Sequence, residues 1–392
     1  MNYEETEEQR LVRETVREFS EEYDVDYFEP HVENQTFPEE YWEDLSDTGL
    51  VGTMVPEEYG GAGMGMLEMA IALEELSRGG DPGGLALALT AIFGSVGITE
   101  HGTESQRERW LPRIAEGDVQ FCMALTEPNA GVNLLRMETY AEEVEDGRYV
   151  VDGTKTFISG VDHADGMLLI TRTEEFDRSN PTYGVTLFLV EDPGDRDAID
   201  LTPLDVHVPW YETQYQVDID GLELTEDDIL GGPDARDVAL YKLWDTLNTE
   251  RISVAAGSVG SGLRAVDLAV DYAGDRKVFG SPIGAHQSIQ HPLADAYSEL
   301  LTAREMTYKA AWKYDEGEQC GMESNVAKLR STEAATRAAS RAIQTHGGNG
   351  FSADYEVFPL WVNARLLETV PIPNEMVLNF LAEHTLGLPR SY

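Results

Sequence analysis

The 392-residue chain is predicted to be α+β, with helices first, a sheet in the middle and helices again at the end. Three observations predict it. Apolar residues recur at helical spacing before Phe121 and again from Val238 onward. Between them the sequence breaks into short apolar runs separated by Gly, Asp and Pro, which reads as strands and turns. No repeat, low-complexity linker or long polar tail interrupts that order. The expected domains are therefore 1–122 (helical), 123–236 (β) and 237–392 (helical).

Taken in order, Leu11, Val12, Val16 and Phe19 mark a helix between Thr6 and Tyr23, and the glycines of Ser46–Gly52 close another. Val55–Gly61 is a turn-rich loop. Met66–Ser77, Leu85–Thr99 and Glu104–Ile114 read as helices, the first two apolar enough to be buried. Tyr149–Val151, Met167–Thr171 and Gly184–Val190 read as strands. In the last third, Glu250–Asp295 organises the chain. Ile252, Val259, Leu263, Val266 and Val270 form one helical stripe, beside a nearly bare face of Ala255, Ala256, Gly257, Gly260 and Gly262. Glycine inside a helix costs up to ~1 kcal/mol relative to alanine. Such a face calls for something packed against the backbone: another helix, a subunit or a planar ligand. A further helix starts after Ser281-Pro282 and carries Gln287, Ile289, Leu293 and Ala294.

The charge balance narrows the partners. With 73 acidic and 28 basic residues the formal net charge is -45, which disfavours nucleic acid and anionic membrane surfaces. Lysine is confined to Lys155, Lys242, Lys277, Lys309, Lys313 and Lys328. Abundant acid with scarce lysine points to a halophilic protein, working in salt that screens its self-repulsion. Cys122 and Cys320 are too few for a disulfide scaffold. The acidic N-terminus lacks a secretory signal, and the most apolar segment, Gly84–Ile98, is shorter than the ~18 residues of a membrane helix. The expected location is cytoplasmic. No metal site is expected: Asp162-His163-Ala164-Asp165 reads as a turn between strands, and Asp218–Gly221 lacks the acidic spacing of a calcium loop.

Four stretches carry chemistry. Met123–Gly131 ends an apolar strand in a loop with Thr126, whose hydroxyl and free backbone donors suit a flat heteroaromatic ligand, though a plain turn has the same composition. Lys155–Gly160 repeats the arrangement, and Phe157 and Ser159, two apart on a strand, face one side. Arg276-Lys277, a basic pair in an acidic protein followed by Phe279-Gly280, reads as an anion site. Gln344–Phe351 ends the last long helix with glycines, admitting a phosphate or nucleotide or simply stopping the helix.

Together and in this order, these stretches resemble the acyl-CoA dehydrogenases over nearly the whole length. The marks are VPEEYGG at Val55–Gly61, ALTEPNAG at Ala124–Gly131, FISG at Phe157–Gly160, DRKVFGSPIGAHQSIQH from Asp275, and QTHGGNG at Gln344–Gly350. The resemblance implies an N-terminal helical domain, a middle β-barrel or sandwich and a C-terminal four-helix bundle. It also implies a homotetramer, with FAD reaching a neighbouring subunit, an acyl-CoA substrate oxidised to 2-enoyl-CoA, and an electron-transfer flavoprotein as acceptor. By the same resemblance Met123, Leu125 and Thr126 meet the flavin ring, Phe157 covers it where a tryptophan is usual, and Ser159 approaches N5. Arg276 meets the diphosphate; Phe279, Gln287, Gln344, Gly347 and Gly348 line the adenine and ribose end, and Glu375 is a further cofactor contact.

The family's usual base, a glutamate after the last long helix, is absent, and Pro371 stands in its place. Proline also lacks the backbone N–H that polarises the thioester there; one such donor is worth on the order of 3 to 4 kcal/mol in the transition state. A minority of the family, resembling isovaleryl-CoA and long-chain dehydrogenases, carries the glutamate on a bundle helix before an arginine. Glu250-Arg251 occupies that position, which makes Glu250 the expected base and Arg251 its neighbour in the catalytic pair. A helix-start carboxylate favoured by the dipole is the competing explanation of Glu250. Glu368 and Glu375 are poorer candidates. Val132-Asn133 and Trp210-Tyr211-Glu212 also depart from the family pattern, and are expected to alter the surroundings of flavin and CoA. The expected function is FAD-dependent α,β-dehydrogenation of an acyl-CoA in fatty acid or amino acid catabolism. Two rivals stay open: a flavoprotein of this fold with different chemistry on an unusual thioester, and a non-catalytic subunit or scaffold.

Overall fold

In a computed structural model, which describes residues 4–82 and 84–391, helices come first. α1 (Glu7–Ser20) starts at a capping box in which Thr6 Oγ1 accepts from the Gln9 N–H at 3.2 Å and Gln9 Oε1 accepts from the Thr6 N–H at 3.0 Å. Val12 and Val16 are buried, whereas Leu11 lies off the stripe and is exposed. α2 (Val25–Asn34), α3 (Glu39–Asp47), α4 (Met66–Gly79), α5 (Leu85–Ala88), α6 (Ser95–His101) and α7 (Glu104–Glu116) follow. The run expected as one helix from Leu85 is α5 and α6 joined by a buried π-helical turn, Leu89–Gly94, on which the Phe121 ring rests: a Cβ on Gly94 would lie 2.9 Å from that ring.

The middle of the chain is one seven-stranded sheet. Its strands are β1 (Phe121–Ala124), β2 (Tyr140–Glu145), β3 (Arg148–Ser159), β4 (Gly166–Arg172), β5 (Val185–Glu191), β6 (Ile199–Pro203) and β7 (Gln214–Thr225). They run in the order β1-β4-β2-β3-β7-β6, with β5 against β4, and β1 is parallel to β4. β4 is buried along its whole length because its two faces serve different cores. Leu168 and Ile170 join the core of the N-terminal helices, and Met167 and Leu169 the core of the sheet.

α8 (Ala239–Asp275) then leads through a small ribbon, β8 (Lys277–Val278) and β9 (Ser281–Pro282), into α9 (Gln287–Asp315), α10 (Gly321–His346), α11 (Val357–Leu367) and α12 (Asn374–Phe380). The bare face of α8 is filled by other helices. A Cβ on Gly260 would lie 2.1 Å from the Glu74 carbonyl oxygen of α4, and one on Gly262 would lie 2.5 Å from Leu300 of α9 and 3.2 Å from Ala335 of α10. Val259, Leu263 and Val266 pack with Leu300, Ala334 and Ala338. Val270 is the exception on the stripe: it is exposed, because it lies beyond that contact and borders an open apolar groove between α8 and α9. The predicted fold class, helices, curled sheet and helical bundle, is thus borne out. Among the described residues no helix is long and apolar enough to cross a membrane, and both cysteines are buried and outside any disulfide.

Candidate active site

Thr126 is positioned by a buried ion pair. Lys155 on β3 donates to Glu127 Oε1 at 2.8 Å and to the Leu125 carbonyl at 3.2 Å, while the Thr156 N–H donates to the Thr126 carbonyl at 2.9 Å. Both charged side chains are almost fully buried. Burial opposes ionisation of Glu127, but Lys155 and the N–H groups of Glu138 and Thr139 outweigh it and hold the carboxyl below its ordinary value. The loop carrying Met123, Leu125 and Thr126 is thereby tied to the strand carrying Phe157 and Ser159. The sequence signal for this pair is slight: Lys155 is one of only six lysines and lies between two threonines on a strand.

On β3 the ladder to β7 breaks between Lys155 and Ile158, and Phe157 takes φ 57°. A left-handed backbone at an aromatic residue costs about 1–3 kcal/mol. Here it turns the ring outward, leaving it 58% exposed at the sheet end. Ser159 Oγ accepts from Gln214 Nε2 at 2.8 Å and lies 3.1 Å from Gln214 Oε1, to which it donates, so the amide of Gln214 holds the hydroxyl in place. Ile158 between Phe157 and Ser159 is buried in the sheet core, while Phe157 is exposed and Ser159 half-buried.

Glu250 lies on α8, three turns in from Ala239. The helix-dipole explanation therefore lapses, since that effect fades within the first turn. The residue keeps some solvent-accessible surface, yet enough protein surrounds its carboxyl that burial pushes it up to about 7, against the opposing influence of Arg251 and Lys328. Arg251 donates to Asn248 Oδ1 at 3.3 Å, and its Nε is buried without a hydrogen-bond partner. Burial lowers its basicity. Lys328 links this pair to the corner after α11: its charge acts on Glu250 and its amine donates to the Ile372 carbonyl at 2.6 Å. Pro371 is exposed there, and the Ile372 N–H has no acceptor among the described residues. Glu375, on the first turn of α12, is exposed beside the same corner, and Glu368 is drawn to Arg365 at 3.5 Å.

The remaining predicted residues gather elsewhere. Tyr272, near the end of α8, stacks on His346 at 4.2 Å between centroids and accepts from Asn349 Nδ2 at 3.1 Å, which brings the glycines after α10 beside the start of the ribbon. Arg276, Phe279, Gln287, Gln344, Gly347 and Gly348 are all exposed at that end of the bundle. Phe279 is fully exposed (101%) at φ 52°, and Arg276 has no ion-pair partner among the described residues. From Glu250 to Arg276 the helix rises about 1.5 Å per residue, so the two ends stand roughly 39 Å apart. One protomer thus brings Thr126, Phe157 and Ser159 together at the sheet end, and separately Arg276 with the glycines.

One expectation is corrected. Tyr211 and Glu212 do not border the open site: Tyr211 is buried against Phe28, Phe37 and Tyr41 in the seam between the sheet and the N-terminal helices. Their large side chains fill that seam. Trp210 donates to Asn363 of α11 at 2.9 Å. Glu212 is pushed up to about 8, by burial and then by Asp81.

Three family profiles cover the chain: the acyl-CoA dehydrogenase N-terminal domain over 6–118, the middle domain over 122–208 and the C-terminal domain over 241–386. The chain belongs to the acyl-CoA dehydrogenase family. It is 39% identical to acyl-CoA dehydrogenase FadE12 of Mycobacterium tuberculosis over 390 residues, covering 99% of this chain and 98% of that one. It is 32% identical to (2S)-methylsuccinyl-CoA dehydrogenase of Cereibacter sphaeroides, covering 97% of this chain and 70% of that protein. The structure of butyryl-CoA dehydrogenase from Megasphaera elsdenii superposes with a TM-score of 0.92 at 27% identity, covering 98% of this chain and all of that one. The family cofactor is FAD, and the chain is an acyl-CoA dehydrogenase in the sense of that family, an oxidoreductase acting on CH–CH bonds. The exposed, strained Phe157 ring beside two hydroxyls, and the unpaired Arg276 beside glycines around which a Cβ would meet nothing within 4 Å, fit a flavin ring and a diphosphate respectively.

Proposed function

We propose that Glu250 is the base of this acyl-CoA dehydrogenase, taking the proton α to the thioester carbonyl. The observation that supports it most is a carboxylate on α8, raised towards neutrality by burial, whose charged neighbour Lys328 donates at 2.6 Å to the corner where proline stands in place of the usual base. A carboxyl near 7 is a stronger base than an ordinary glutamate and is still half ionised at working pH. The chemistry supplied by bound FAD is acceptance of the β hydrogen as hydride. The chain's own groups do the rest. Thr126 and Ser159 present hydroxyls to the flavin ring, with Met123 and Leu125 alongside and Phe157 covering it. Arg251 stabilises Glu250 once it is ionised. The free Ile372 N–H, one residue beyond Pro371, takes over polarisation of the thioester oxygen, and Glu375 borders the cofactor from the same corner.

Arg276, Phe279, Gln287, Gln344, Gly347 and Gly348 hold the diphosphate and adenine end of a neighbouring subunit's FAD, because about 39 Å of α8 separates them from their own Glu250. An apolar groove of about 660 Å³ beside them, lined by Val266, Val270, Ile289 and Leu293, suits the same contact. The assembly is read as a homotetramer. An electron-transfer flavoprotein is the proposed acceptor, the cytoplasm the proposed compartment, and fatty acid or amino acid catabolism the proposed setting. The net charge of -45 supports a halophilic origin. The deciding experiment is anaerobic mixing of the yellow protein with a panel of straight, branched and dicarboxylic acyl-CoA thioesters. Bleaching of the flavin by at least one is expected; a protein inert to all of them overturns the reading.

A further inference from the structure

The corner from Glu368 to Asn374 is tied to the bundle by one buried amine. Lys328, on α10, has no exposed surface. Its Nζ donates to the Glu368 carbonyl at 3.4 Å, the Ile372 carbonyl at 2.6 Å and Asn374 Oδ1 at 2.9 Å. Asn374 is fixed in turn by donating to Thr332 Oγ1, one helical turn along α10, at 3.1 Å. Three acceptors use three N–H bonds, so the group is an ammonium with no lone pair left for chemistry.

None of those acceptors is charged, and no carboxylate lies within ion-pair distance of Nζ among the described residues. A buried ammonium is costly unless charge elsewhere compensates it. Burial pushes the Lys328 amine down to about 8, helped by Arg251; Glu368 after α11, Glu250 on α8 and Glu375 on α12 act against that and favour the charge. Around Glu250 the charged groups are Arg251 and Lys328, and Cys320 faces Arg251. Lys328 therefore touches the corner that carries Pro371 and Ile372 and, through space, acts on the Glu250 carboxylate.

We propose that Lys328 is a positioning residue for the dehydrogenation: its ammonium sets the Glu368–Asn374 corner against α10 and favours the ionised form of Glu250. The proposal rests on Glu250 being the base. It explains why a chain with few lysines buries one under a loop: a neutral donor would pin the same carbonyls without supporting the negative charge.

The test compares FAD-loaded wild type, Lys328→Gln, Lys328→Arg and Glu250→Gln. The carboxylic-acid infrared band of Glu250, assigned by its loss in Glu250→Gln, is titrated against pH beside the pH profile of flavin bleaching. In Lys328→Gln the Glu250 midpoint and the acidic limb of the profile should rise together by about one pH unit or more. Lys328→Arg, which keeps the charge, should restore the limb even where kcat stays low. If Lys328→Gln fails to fold, Asn374→Asp neutralises the same ammonium in place and should also move the midpoint upward. An unmoved midpoint in the folded variants, with only a lower melting temperature or kcat, overturns the proposal. Retained turnover in Glu250→Gln would instead remove the base assignment, while the infrared midpoint would still decide whether Lys328 acts on Glu250.

Discussion

Glu250→Gln should separate chemistry from stability in one variant. Glutamine keeps the shape and removes the base, so bleaching by a good thioester should fall by about 10²–10⁴-fold, the usual worth of a positioned base, with FAD still bound. Stability should move the other way. The folded carboxyl is raised from 4.5 to about 7, so between those values the unfolded chain loses a proton that the folded chain keeps. Stability contributed by the group is therefore complete below about pH 4.5 and falls by about 1.4 kcal/mol per pH unit until about pH 7. Over that window the loss comes to about 3 kcal/mol, an upper value because the residue is only half-buried. Glutamine has no such slope. The variant should melt close to wild type at pH 4.5 and several degrees higher at pH 8, read by differential scanning calorimetry. Wild-type bleaching would refute the base assignment, and a melting difference independent of pH would refute the burial argument.

Glu212→Gln should stabilise by on the order of 4 kcal/mol above pH 8 and by little at pH 4.5, for the same reason; denaturant melts at the two values check it. Phe279→Ala should weaken FAD retention at least tenfold and shift the assembly to smaller species in sedimentation, without lowering the melting temperature of the protomer, because the ring touches nothing in its own chain. Gly260→Ala should destabilise by about 1–3 kcal/mol, since α4 must retreat from the new methyl; urea unfolding measures it. Dialysis from molar salt to about 10 mM, where charges repel over about 30 Å, should lower the melting temperature steeply. A melt indifferent to salt would discard the halophilic reading.

Local chemistry made much of this legible in advance. The helix, sheet, helix order follows from apolar periodicity, which depends only on neighbours in the chain, and the family follows from motifs such as ALTEPNAG and QTHGGNG that are contiguous. The missing base was equally legible, because Pro371 cannot ionise whatever surrounds it. The role of Lys155 was harder to see, as its partner Glu127 lies on another segment.

What the sequence determined by itself is the set of groups available: a proline without charge or N–H at the corner, a glutamate-arginine pair on the bundle helix, and an unusual excess of acid. Tertiary structure decided which of those groups meet. It filled the bare face of α8 with α4, α9 and α10, turned Tyr211 and Glu212 into a seam, and set the Arg276 end roughly 39 Å along the helix from Glu250. It also brought Lys328 under the corner. Burial, distance and charge at these points depend on segments far apart in the chain, and no local pattern encodes them.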